Sequence, residues 1–110
     1  MKQYVLDEIP RPDLARIKEY LDEKASPSGL EGIWWVELTP EQLSEPQLAH
    51  KDCQPHCFAV ELGRNFVKFE FLIRSRRTMR CTCVGYATRV QRDWIMEYAD
   101  RLVAELEVRT

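Results

Sequence analysis

A chain of 110 residues with 45% hydrophobic and 31% charged residues has the composition of one folded domain, which excludes a disordered or low-complexity chain. The net charge of −2 hides a segregation: residues 1–62 carry 6 basic against 12 acidic side chains, residues 63–92 carry 8 against the lone Glu70, and residues 93–110 carry 2 against 5. No apolar run approaches the roughly 20 residues of a membrane-spanning helix, and the opening Met1-Lys2-Gln3-Tyr4 lacks the apolar stretch of a secretory signal, so a cytoplasmic location is expected.

Residues 1–11 read as an N-terminal arm, with Pro10 and Pro12 flanking Arg11. A helix is predicted from Pro12-Asp13, where proline suits the first turn and the acid favours the helix dipole. Leu14, Ile17 and Leu21 form its buried stripe, and Ser26-Pro27-Ser28-Gly29 ends it. Ile33 to Leu38 reads as a first strand. Thr39-Pro40-Glu41-Gln42 is a capping box with proline at the first helical position, and it opens one or two helical turns over residues 40–50. Residues 51–56 read as a polar connector.

Phe58, Val60 and Leu62 alternate with polar or small neighbours, as do Val67, Phe69, Phe71 and Ile73. A tight turn at Arg64-Asn65 would pair Leu62 with Val67, Val60 with Phe69 and Phe58 with Phe71, placing every apolar residue on one face. A fourth strand is predicted from Met79 to Ala87, with Met79, Cys81, Cys83 and Gly85 facing inward. Thr88 and Gln91 form a capping box for the last helix, whose stripe runs through Val90, Trp94, Tyr98, Leu102 and Leu106. Trp34, Trp94 and Tyr98 are expected in the core. The order predicts a single α+β domain over residues 1–110: a two-layer sandwich with a mostly antiparallel four-stranded sheet and both terminal helices on one face. The partner of the first strand, whether the second or the fourth, stays open.

Two groups of residues carry chemistry. His50, Cys53, His56 and Cys57 fall within eight residues, and Cys81-Thr82-Cys83 follows. Four cysteines are too few for a disulfide scaffold and read as thiols, fillers or ligands. The hairpin registers bring the loop of His50 and Cys53 to the end of the sheet where Cys81 and Cys83 begin the fourth strand. These four residues are the candidate zinc ligands. Against them stands geometry: side chains at i and i+2 of a straight strand lie nearly 7 Å apart, too far to share one tetrahedral ion without a bend. In the plainer reading Cys81 and Cys83 fill the core and the histidines make ordinary loop hydrogen bonds. Cys57 should face the other side of the sheet. No oxyanion-hole or glycine-rich signature accompanies the cysteines, so catalysis is not the expectation.

The second group is Arg74, Arg76, Arg77 and Arg80 around the turn after the third strand, beside an outer sheet face bearing Phe66, Leu72, Val84, Tyr86 and Trp35. An apolar open face next to paired arginines predicts contact with a protein or an anion through Arg74, Arg76, Arg77, Arg80, Leu72, Val84 and Tyr86. The first functional expectation is therefore a protein–protein interaction module, self-associating through that face and needing no cofactor. The alternative is a zinc-binding accessory protein, and the second alternative binds single-stranded nucleic acid through aromatics interleaved with basic residues.

Overall fold

The computed structural model describes residues 2–78 and 80–108. In chain order the elements are β1 (Gln3–Leu6), α1 (Arg11–Lys24), β2 (Ser26–Pro27), β3 (Ile33–Glu37), α2 (Glu45–Ala49), β4 (His56–Leu62), β5 (Val67–Glu70), β6 (Leu72–Ser75), β7 (Gly85–Tyr86) and α3 (Arg89–Glu105), with single 3₁₀ turns at Pro40–Gln42 and Lys51–Cys53. The fold is α+β, with an open antiparallel seven-stranded sheet. Among the described residues, no helix is long and apolar enough to cross a membrane.

The central hairpin follows from its apolar alternation. Leu62 pairs with Val67 and Val60 with Phe69, and the Gly63 N–H donates to the Phe66 carbonyl at 2.9 Å across the Arg64-Asn65 turn. Glycine at position 63 lets the Phe66 ring fold over the turn, since a Cβ there would lie 2.0 Å from the ring and push it aside. β3, the first strand expected from the sequence, joins β4, with Trp34 opposite Val60 and Val36 opposite Phe58. One face of this sheet meets Ile17 and Leu21 of α1 and Ile95, Ala99 and Leu102 of α3, around Trp34, Phe58, Val60, Val67 and Phe69. Burial of these side chains, at about 1.5–3 kcal/mol each, is the main force holding the two layers together.

Four expectations are corrected. The arm is not free of the sheet: residues 3–6 pair with β5, Leu6 opposite Val67 and Gln3 opposite Glu70. Phe58 does not pair with Phe71. The Phe71 N–H bonds the Lys2 carbonyl and its own carbonyl accepts from Ala87, so the strand slips two residues and resumes with Cys57 opposite Arg74 and His56 opposite Ser75. A slip of two preserves the alternation of faces.

The fourth strand shrinks to Gly85–Tyr86, paired with Leu72 and Ile73. Residues 80–84 would lie opposite residues 74–78, but past Ser75 the chain is no longer extended: the N–H groups of Arg77 and Thr78 turn back onto the Ser75 hydroxyl, and residues 81–84 close a turn of their own. Met79, expected to face inward, lies outside the described residues. Finally, the buried stripe of α3 is Gln91, Ile95, Ala99 and Leu102, while Val90 is 57% exposed and Trp94 only partly buried. The stripe is rotated because Gln91 turns inward. Its Oε1 accepts from the Thr88 N–H at 3.0 Å, closing the predicted capping box, while its amide reaches the Gln42 carbonyl at 2.8 Å.

Candidate metal centre

Two tight turns build the site. The first follows α2, where Ser44 and Gln47 form a capping box and Pro46 starts a helix too short to pass Ala49. The chain then makes one 3₁₀ turn, with the Cys53 N–H bonded to the His50 carbonyl at 3.0 Å. In that geometry side chains at i and i+3 eclipse, so His50 and Cys53 project to the same side. The second turn spans Cys81 to Val84, closed by a 3.0 Å bond from the Val84 N–H to the Cys81 carbonyl. A turn brings the side chains at i and i+2 together where a strand would separate them.

The two turns meet. His50 Nδ1 lies 2.8 Å from Cys81 Sγ, and Cys53 Sγ lies 3.4 Å from the same sulfur. The ligating atoms of His50, Cys53, Cys81 and Cys83 all fall within 4.8 Å of one another, with Cys53 and Cys83 buried and His50 and Cys81 partly so. This cluster could hold a metal ion. Zinc–ligand bonds of about 2.0–2.3 Å put the corners of a tetrahedron roughly 3.5–3.8 Å apart, inside the observed spread.

Supporting contacts hold both turns to the sheet. The Ser75 hydroxyl donates to the Cys53 carbonyl and accepts the N–H groups of Arg77 at 3.1 Å and Thr78 at 3.0 Å. The Arg76 N–H bonds the Pro55 carbonyl at 3.1 Å. His56 belongs to β4 rather than to the polar connector, and alternation places it on the same face as Phe58 and Val60. It is 1% exposed, and its Nε2 sits 3.3 Å from Cys83 Sγ while its Nδ1 has no hydrogen-bond partner among the described residues. Reading His56 as a loop residue missed this position, although extending the Phe58–Val60 alternation back by two reveals it.

Within the cluster the electrostatics single out Cys81 as the thiol most readily ionised. The backbone N–H and the thiol of Cys83, then Cys53 and His50, hydrogen-bond Cys81 and draw its thiol well below the usual range, to about 6. Burial, then contact with Cys81 and Cys53, pushes Cys83 up. Burial and then the nearby His50 keep His56 on the neutral side of its ordinary value. Cys57 takes no part. It faces away, its Sγ 3.8 Å from the Arg74 carbonyl, and burial pushes its thiol up to about 11.

The arginine group is less open than its sequence suggests. Arg74, partly buried, has its Nη2 3.2 Å from Glu70; Arg76, with its Nη1 3.8 Å from Glu37, is exposed, as are Arg77 and Arg80. Leu72 is partly buried directly opposite Tyr86, which is 47% exposed under the Lys2 ammonium. Val84 lines an outer cleft with Trp35. Comparison with protein-family models, curated proteins and solved structures finds no match.

Proposed function

We propose that this protein is a zinc-binding domain, its ion held by His50, Cys53, Cys81 and Cys83. The observation that carries the reading is the convergence of these four ligand atoms within 4.8 Å from two turns 28 residues or more apart in sequence. Three thiols and one imidazole form a borderline-soft donor set that suits zinc over magnesium or calcium. Four protein ligands complete a tetrahedron and leave no open corner for water, so the site is structural: it clamps residues 80–84 to the loop after α2. Coordination would also remove a liability, because three thiols this close are otherwise prone to oxidation.

Native mass spectrometry of untagged protein purified without chelator tests the reading. The expected result is a mass excess of one zinc ion per chain, lost on acidification and absent from Cys83→Ser. A metal-free spectrum, together with unchanged melting of Cys53→Ser in added zinc, overturns it.

A second reading, contact with a further copy through the outer face, draws support from the Leu72–Tyr86 pair, an apolar patch with one half-exposed aromatic. Sedimentation equilibrium of wild type against Leu72→Glu tests it, with a concentration-dependent dimer lost in the variant as the supporting result.

A further inference from the structure

The outer face of the sheet carries a hollow that the metal centre does not use. Its floor is the small Cys57, its walls are Trp35 and Val84, and Arg74, Arg76 and Thr78 stand at its rim around a volume of about 370 Å³. That volume falls in the range of roughly 300–1,000 Å³ typical of small-molecule sites. The hollow exists because β4 places small side chains, Cys57 and Ala59, on the face where β3 presents Trp35, opposite Ala59 in the ladder. A larger residue at position 57 would fill it.

The chemistry of the lining is two-sided. Trp35 and Val84 offer an apolar slot, and the Cys57 thiol stays protonated and uncharged at neutral pH. The rim offers cations with capacity to spare. Arg74 is engaged by Glu70 through Nη2, and its Nε, without an acceptor among the described residues, is closed off from solvent, so it lends positive charge rather than a free donor. Arg76 reaches Glu37 only through a loose 3.8 Å contact between partly exposed side chains. An incoming oxyanion can therefore take up the Arg76 guanidinium without breaking a short ion pair. The same two glutamates limit the charge of the ligand. They lie beside the arginines and repel a second negative charge, which favours a monoanion over a phosphate dianion.

We propose that this hollow binds a small organic carboxylate, with a planar apolar body between Trp35 and Val84 and its carboxylate on the guanidinium group of Arg76, in the positive field of Arg74. Arginine forks match carboxylate geometry, and apolar pockets with a few convergent polar groups are where such ligands lodge. None of the four clustered ligands lines the hollow, although Ser75, Arg76 and Val84, which do, also brace the two turns that carry those ligands.

Calorimetric titration of the protein with 2-naphthoate, 2-naphthamide and 2-naphthyl phosphate tests the proposal. Naphthoate should bind, with the neutral amide at least about tenfold weaker, the loss expected for a charge-assisted contact. The phosphate should bind no more tightly than the carboxylate. Arg76→Gln, a change at a partly exposed side chain, should weaken naphthoate by about the same factor. Val84→Trp should block the hollow without altering a charge, with circular dichroism confirming that both variants fold. The proposal is overturned if naphthoate shows no binding at concentrations on the order of 10 mM. It is equally overturned if the amide or the phosphate binds as well or better, or if neither variant weakens binding.

Discussion

Gln91 Nε2 donates a 2.9 Å hydrogen bond to Gln47 Oε1, joining two buried side chains that each close a helix capping box. The bond ties the start of α3 to α2, and α2 runs directly into the turn that carries His50 and Cys53. One glutamine therefore caps its own helix and fixes the approach of half of the candidate metal centre.

Replacing Gln91 by alanine should cost about 1–2 kcal/mol, because it removes the cap on Thr88 and takes that donor from the partly buried Gln42 carbonyl. Urea denaturation measures the loss. Hydrogen exchange should quicken across residues 40–53, and zinc affinity should fall with it although no ligand has changed.

His56 has a separable role. Its Nε2 lies 3.3 Å from the Cys83 sulfur and, in the tautomer protonated there, donates to a zinc-bound thiolate; such outer contacts tune metal affinity by about 10–100-fold. His56→Leu removes this bond together with the unpartnered buried Nδ1. Zinc affinity, measured by chelator competition, should fall by about tenfold or more, while the melting temperature of the metal-free protein holds or rises. Equal losses in both would show that His56 acts only through packing.

Chelation should loosen part of the molecule and spare the rest. None of the four clustered residues belongs to the core between the sheet and the two long helices. Stripping zinc should therefore leave the far-ultraviolet circular dichroism nearly unchanged and abolish exchange protection over residues 80–84. Global unfolding on chelation would contradict this division.

Alkaline stability should bear the mark of Tyr98. Burial, then the neighbouring Tyr20, raises its hydroxyl to about 12, and its ring stands edge-on to Phe58 and Phe69 at 5.8 and 6.2 Å. The unfolded chain loses this proton near pH 10 while the folded protein keeps it. Its contribution is whole below pH 10 and is lost as the pH rises toward 12. Cys57 behaves likewise from its ordinary value of 9.0 to about 11. In Cys57→Ala, Tyr98→Phe should flatten the remaining fall of stability between about pH 10 and 12, a difference of up to about 2 kcal/mol by denaturant titration.

The sequence by itself determined the layers. Strict alternation in residues 58–62 and 67–69 dictates a hairpin and its register, because a slip of one residue would turn every apolar side chain to water. The capping boxes at Thr39 and Thr88 and the Leu14–Ile17–Leu21 stripe mark helix starts and a buried face through interactions that span only a few residues. His50, Cys53, Cys81 and Cys83 were likewise legible as a set, since hairpin topology alone brings both ends of that stretch to one end of the sheet.

Tertiary structure alone decided whether the set could close. The geometric objection to Cys81 and Cys83 holds for a strand, and residues 80–84 form none, because residues 76–78, which they would pair with, bend back onto the Ser75 hydroxyl and offer no extended edge. That hydroxyl is itself held by the Cys53 carbonyl, 22 positions away, and local periodicity carries no information about such a contact. Residues 81–84, left to turn, bring both sulfurs toward His50 and Cys53.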